Sequence, residues 1–332
     1  MNARFDGFFF IGSCLFTFLF LALYLFLATS GYSIKGESIL ITYGIYTVMF
    51  DHPHIFQTLS RTHYDTEEFK KRKYLHTIGL ISFILFGFIV VISDYSNEFI
   101  VFAAIYGSWH IIRQHSGFLK AYKIVNKDFD PLDNKIDAMV FYLGMFSCFF
   151  SDYSEDNGPV YIYNDLFVQF PKIPPWVGEV LWVFFCFSLA VFVLRQLEHL
   201  KNKKKINFPK ILFLSVALYT HYIVFFVTAG SFLIAEALET AFHNVQYQGW
   251  MIHYQKKRFS NLKKVALKWL AFSMLYGFVA GGIELLSLSK GGLFIWLSMP
   301  FTMLVIYHYF TDGLIWKFSE DPKLKGQLFN TK

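Results

Sequence analysis

Charge is scarce in this chain of 332 residues: Asp, Glu, Lys and Arg together make up 16%, against roughly 25% in soluble domains. No hydrophilic stretch is long enough to fold as a separate soluble domain, so residues 1–332 read as a single membrane domain. Cysteine is nearly absent. Cys14, Cys148 and Cys186 stand alone with no CxxC spacing, which excludes a disulfide framework and a thiolate site of the iron–sulfur kind. There is no internal repeat of the sort that marks many secondary transporters. What fills the space is apolar: 55% of the residues are hydrophobic and 42 are Phe.

Runs of about 20 apolar residues, enough to cross the hydrocarbon core, recur along the whole length. The expected fold class is therefore all-α, a polytopic membrane bundle of about ten transmembrane helices. The spans fall at 7–29, 38–60, 76–94, 98–120, 136–152, 175–195, 209–228, 230–254, 265–287 and 292–316. The first is too long for a signal-peptide core and reads as an anchor. Alternate connections are basic: Arg61 with Lys70, Lys71, Arg72 and Lys73; Lys120, Lys123, Lys127 and Lys135; Lys201, Lys203, Lys204 and Lys205; Lys256, Lys257, Arg258, Lys263 and Lys264; and the tail with Lys317, Lys323, Lys325 and Lys332. The intervening loops carry Asp94, Glu98, Asp152, Glu155, Asp156 and Asp165. By the positive-inside rule both termini and all the basic loops are cytoplasmic. The Lys runs also suit anionic lipid headgroups. The net charge of +6 is thereby accounted for by topology, and no nucleic-acid partner is implied.

Spans two, four, eight and ten all run toward the cytoplasm, and each carries polar residues past its midpoint. Ionisable side chains inside a bilayer are costly, and function is the default reason for keeping them. Span two has Asp51-His52-Pro53-His54, with Arg61 and His63 at the interface; Pro53 cannot donate a backbone hydrogen bond and is expected to kink the helix. Span four has Trp109-His110, then Arg113, Gln114 and His115, with His110 and Gln114 on one face. Span eight draws a stripe of Glu236, Glu239, His243 and Gln246, extended by Asn244, Tyr247 and His253. Span ten holds His308 and Asp312 at i, i+4, as Glu239 and His243 are. Each motif alone has an ordinary explanation, such as a frayed helix end at Asp51 or a surface ion pair at Asp312. Together they bring histidine from four helices to one depth. His76, His199 and His221 fall outside this pattern.

The expectation is an intramembrane metal site. Its candidate ligands are His54, His110, His243 and His308, with His52, His115 and Asp51 as further candidates. Glu239 and Asp312 are candidates for the catalytic or orienting carboxylates, and Arg113, Gln114, Gln246, Tyr247 and Arg61 for substrate contacts or outer support. Imidazole with some carboxylate suits iron, zinc or copper. Four histidines suffice for one iron; His52, His63, His115 and His253 bring the total to eight, enough for two.

Scattered histidine motifs at the cytoplasmic ends of spans resemble the integral-membrane histidine-box oxygenases, the desaturases and hydroxylases of lipids, although HxxHH and HExxH are absent. The order Pro53-His54, Trp109-His110, His243-Asn244, His308 with Asp312 also resembles the Brp/Blh-type carotenoid-cleaving dioxygenases. That resemblance implies an iron centre held by His54, His110, His243 and His308, with Glu239, Asp312 and Asp51 orienting or completing the shell. It implies an oxygenase, hydroxylase or desaturase using dioxygen on a lipidic substrate, with non-haem iron (one or two ions), membrane lipids around it and an electron donor at the cytoplasmic face. The expected location is a bacterial inner membrane, with the metal toward the cytoplasm. Two alternatives stay open: a zinc-dependent lipid hydrolase with Glu239 or Asp312 as base, and a proton- or metal-coupled transporter using the Glu236–Glu239–His243 stripe.

Overall fold

The structure, a computed structural model, describes residues 3–30, 37–155, 159–163, 166–227 and 231–329, without the side chains of residues 152, 154, 155 and 227. The Asp152 and Glu155 side chains, the whole of Asp156 and Asp165, and the expected span ends at 228 and 230 therefore lie outside the described residues. Among the described residues the chain is all-α apart from two short strands, Val160–Tyr163 and Leu166–Val168. Its principal helices are α1 (Cys14–Thr29), α2 (Glu37–Tyr46), α3 (His52–Thr62), α4 (Leu80–Ile92), α5 (Ser96–Asn126), α6 (Pro131–Glu155), α7 (Pro175–Lys201), α8 (Phe208–Val227), α9 (Phe232–Arg258), α10 (Val265–Lys290), α11 (Leu293–Ile315) and α12 (Pro322–Phe329).

Among the described residues, five helices are long and apolar enough to cross a membrane: Leu75–Ile92, α7, Phe208–Phe226, α10 and α11. The bent pair Ala3–Ile11 and Cys14–Thr29 makes a sixth if it is one span. These helices mark a membrane protein. The other expected spans differ for a physical reason. Helices α5, α6 and α9 run 31, 25 and 27 residues, long enough at 1.5 Å per residue, but their polar side chains dilute the hydropathy. The 38–60 segment lies in one continuous helical run, α2 and α3 joined through a π-turn over Thr47–Asp51, and Asp51, His52 and His54 lower its hydropathy in the same way.

The chain divides into two compact units: Met1–His110 with Tyr161–Val168 and Ser231–Lys332, and Ile111–Val160 with Gln169–Gly230. Helix α5 passes from the first into the second. In the second unit α6, α7 and α8 pack around Phe141, Met145, Phe213 and Ala217, all fully buried. Gly178 lets α7 approach Ser151, whose hydroxyl accepts from Trp182 at 3.0 Å. The outer face of α7 leaves Val183, Phe184, Phe187 and Leu194 exposed, as a helix apolar all round does when lipid is its solvent.

In the first unit the π-turn takes up what the sequence predicts as a kink. Pro53 has no N–H and its ring crowds the preceding turn. The chain widens there instead, with the His52 amide bonding back to the Thr47 carbonyl. Helix α10 lies against this widened turn because Gly277 and Gly281 present no side chain. A Cβ on Gly277 would run into the Val48 carbonyl and the Pro53 ring, and one on Gly281 would sit 2.9 Å from Val48 Cγ2. Small residues four apart are how membrane helices reach close contact.

Where α3, α9 and α11 end, buried charges are paired. Asp65 caps the short helix Thr66–Lys71, its Oδ1 accepting from the Glu67 amide at 3.1 Å. The same carboxylate accepts from Arg61 at 2.8 Å, from Arg258 at 2.8 and 2.9 Å, and from the Tyr254 hydroxyl at 2.7 Å. Glu68 pairs with Arg61 at 3.1 Å and with Arg72. Arg61 also reaches Asp321, just before α12, at 3.2 Å.

Two expectations follow from this packing. Gly277→Val overfills the α3–α10 contact and destabilises the protein by about 1–3 kcal/mol, whereas Gly282→Ala, with nothing within 4 Å of its Cβ, is neutral; thermal unfolding in detergent compares them. Burial alone would raise the Asp65 carboxyl, but hydrogen bonds from Arg258 and Tyr254 and the charge of Arg61 outweigh it and hold it below the usual range. A depressed folded value gives stability that is present above about pH 4 and lost as pH falls through the folded value. The melting temperature should therefore drop on acidification, and Asp65→Asn should remove part of that slope while costing about 3–5 kcal/mol at neutral pH. An unchanged acid profile in the variant would refute the assignment.

Candidate metal centre

Four imidazoles meet inside the first unit. His54 comes from α3, His110 from α5, His243 from α9 and His308 from α11, and each is at most 4% exposed. Their rings form a closed quadrilateral with centroid separations of 5.6 Å (His54–His243), 5.4 Å (His243–His110), 4.7 Å (His110–His308) and 4.9 Å (His308–His54). Neighbouring rings stand steeply edge to face. Tyr309 stacks on His110 at 4.6 Å and 24°. Gly107, one turn before His110, leaves room for the Tyr309 hydroxyl, which a Cβ there would meet at 3.2 Å.

Two of these rings have their protons fixed by their partners. His54 Nδ1 lies 2.6 Å from the Asp51 carbonyl oxygen. A carbonyl only accepts, so Nδ1 carries the proton and Nε2 holds a lone pair. That Nε2 is buried and makes no hydrogen bond. His308 reaches the same state through a relay. Tyr247 donates to Asp312 Oδ1 at 3.0 Å. Thr58 lies 2.8 Å from the Tyr247 hydroxyl and 2.6 Å from His308 Nδ1. A chain running His308 to Thr58 to Tyr247 to Asp312 satisfies every member and leaves His308 Nε2 with its lone pair. The reverse direction would bury an N–H at Nε2 with no acceptor, because Nε2 makes no hydrogen bond, at a cost of about 1–3 kcal/mol. Imidazole bonded outward at Nδ1 and bare at Nε2 is the arrangement of a metal-ligating histidine.

His110, His308 and Asp312 offer ligand atoms that all lie within 4.8 Å of one another. Asp312 Oδ1 is also 3.7 Å from His308 Nδ1, on the outward side of that ring, which suits an orienting carboxylate. A cleft of about 10 Å³ opens beside His308, lined by Ile55, Phe56, Leu59, Tyr276 and Leu304. That is room for one water-sized molecule. The donor set of imidazoles with one carboxylate fits a borderline metal such as iron or zinc.

The other candidates go elsewhere or stand one layer out. Tyr247 packs on both His54 and His308, at 5.7 and 5.2 Å. Asp51 holds His54 through its carbonyl, while its carboxylate accepts from Tyr46 at 3.1 Å. His52 turns away and bonds Glu284 at 2.8 Å. His115 lies in the second unit, donates from Nδ1 to the Ile111 carbonyl at 2.9 Å and packs on His221 and Phe213. Arg113 is exposed and Gln114 half-buried on the same stretch of α5. Gln246 binds the Phe10 carbonyl and Ser13. Arg61 is buried in its ion network. Glu239, half-buried one turn before His243, sits within electrostatic reach of Glu236 and Tyr309. His63 and His253 bond the carbonyls of His76 and Leu328.

Sequence reasoning missed Thr58, Tyr309 and Glu284. Thr58 follows His54 at i+4, a spacing already used for His308–Asp312. Glu284 is a lone carboxylate in an apolar helix and accepts from His52, Thr47 and Tyr43. Compared with family models, with curated proteins and with solved structures, the chain matches none.

The relay predicts that Thr58→Val weakens metal retention by about 10- to 100-fold, read as metal per chain after dialysis against graded chelator. Retention equal to that of the unaltered protein would show that Thr58 only fills space.

Proposed function

We propose that this chain is a polytopic membrane metalloenzyme, a non-haem iron oxygenase, hydroxylase or desaturase acting on a lipidic substrate with dioxygen. The observation that carries the reading is the buried ring of His54, His110, His243 and His308, two of whose Nε2 atoms are bare. Iron there would supply the binding and activation of dioxygen. The residues of the chain do the rest. Asp51 and the Thr58–Tyr247–Asp312 relay orient two rings, Tyr309 braces a third, and the apolar lining of the cleft beside His308 keeps bulk water out.

The reading is mononuclear, since His52, His63, His115 and His253 are engaged elsewhere. The cleft holds no more than one water-sized molecule, so a lipidic substrate needs α3 and α11 to part. The arrangement of ten spans with both termini cytoplasmic, in a bacterial inner membrane, belongs to the same proposal. It sets the ring in the cytoplasmic half of the bilayer, within reach of a cytoplasmic electron donor. The likeness to histidine-box and Brp/Blh-type enzymes rests on the order of these histidines.

Elemental mass spectrometry of the detergent-purified protein, beside His110→Ala and His243→Ala, tests the reading. One iron per chain, lost in both variants, is the expected result. Stoichiometric zinc would transfer the site to hydrolysis of a lipid ester or amide. Protein that takes up no metal after exposure to ferrous iron under anaerobic conditions would sink the metalloenzyme altogether.

A further inference from the structure

The second unit contains a cavity of its own. It measures about 260 Å³ and lies among Asn126–Asp133, at the turn from α5 to α6, and Gln196–Lys210, at the turn from α7 to α8. Both turns belong to the basic connections. Three aspartates line the cavity, yet their charge is already spent. Asp128 pairs with Lys210 at 2.9 Å. Asp130 lies 3.3 Å from Arg195, and Asp133 accepts from Arg195 at 2.7 Å and from His199 Nε2 at 2.8 Å. Beneath them Asp137 takes both Lys210, at 3.0 Å, and Lys123. The cavity is thus a poor cation site.

What remains uncommitted is basic. Lys127, Lys204 and Lys205 line the cavity, are exposed, and form no ion pair among the described residues. His199 adds an independent sign of a ligand. It lines the same cavity and is 7% exposed, and its Nδ1 is buried with no hydrogen-bond partner while Nε2 is held by Asp133. Leaving such an atom unmet costs free energy. A phosphate satisfies it in either protonation state, accepting from the imidazolium or, as a monoester monoanion, donating its own O–H. Phe129 lines the cavity and is exposed, and the exposed Leu197, Leu200 and Phe208 are chain neighbours of the lining residues Gln196, His199 and Asn207. That combination suits a charged head joined to a hydrocarbon tail.

We propose that this cavity holds the phosphate group of an anionic ligand between Lys127, Lys204, Lys205 and His199. A phospholipid headgroup is the source favoured by the exposed Phe129 in the lining and the exposed apolar residues next to it in the chain, and free phosphate is the other source of the same chemistry. The site lies within the second unit and does not depend on the metal reading.

Native mass spectrometry of the full chain in detergent tests this with phosphatidic acid, phosphatidylglycerol and the net-neutral phosphatidylcholine, beside titration calorimetry with inorganic phosphate. The same measurements are made on a Lys127→Ala, Lys204→Ala, Lys205→Ala triple variant, whose melting temperature checks that it folds. The unaltered chain should retain an anionic lipid at concentrations at least about tenfold below those needed for phosphatidylcholine, and the variant should lose that preference, each lysine near a lipid surface counting substantially. Saturable binding of inorganic phosphate, lost in the variant, with no selectivity among lipids would assign the site to a soluble phosphate. Equal retention of all three lipids with no phosphate binding, or a preference that survives in the triple variant, would overturn the proposal.

Discussion

An imidazole away from water must hand its N–H to an acceptor inside the protein, and the centre of the first unit is organised by that constraint. His54 gives its proton to the Asp51 carbonyl three residues back, a partner within reach because the chain there is a widened turn rather than a regular helix. The widening traces to Pro53, and its tolerance to Gly277 and Gly281 on α10, which leave space for Val48 and Pro53. One proline, one carbonyl and two missing side chains thus go with the choice of which nitrogen of His54 carries the proton. An orphaned polar group in hydrocarbon costs several kcal/mol, so the direction of this bond is settled by the alternatives it excludes.

The same side chains run on from the ring to the ends of their helices. On α3 the inward stripe reads His54, Thr58, Arg61 and, just past the helix, Asp65. On α9 it reads His243, Tyr247, Tyr254 and Arg258. These spacings of three, four and seven keep one face. The near end of each stripe holds an imidazole, the middle is the Thr58–Tyr247–Asp312 relay, and the far end is the Asp65–Arg258–Arg61 clamp. Polar groups joined by hydrogen bonds in a low-dielectric interior polarise one another and favour a single arrangement. The relay and the clamp are therefore two polar ties between α3 and α9, on one face of each helix, that set the rotation of α3 against α9.

Much of this was legible from residue types and spacing. A histidine inside an apolar run stands out, and the charge alternation of the loops placed four such runs in one direction, which selected His54, His110, His243 and His308. What sequence could not resolve was choice between near neighbours. His52 and His54 differ by roughly 200° of helical rotation, and the partner that claims His52 is Glu284, over two hundred residues away. His115 stands roughly 140° around α5 from His110, and it lies past the point where that helix passes into the second unit. Gln246 shares the stripe of His243 yet spends its amide on the Phe10 carbonyl. Local periodicity gives the face of a helix but not the neighbour that faces it.

Three of the four helices that supply the ring lack the apolar composition of a membrane span. Of the four, only α11 is apolar enough by composition; α3, α5 and α9 carry Arg61, Arg113, Glu236, Glu239 and Arg258 with their histidines. This follows from the ring itself, because each buried imidazole needs a polar partner, and partners add further polar residues to the same few turns. Helices such as α4 and α10, freed from that demand, can stay apolar and face lipid, with Ile81, Leu85 and Ile89 of α4 and Phe272, Leu275 and Val279 of α10 exposed. A buried polar centre in such a chain thus lowers the hydropathy of the helices that carry it, and hydropathy alone finds only α11 of the four.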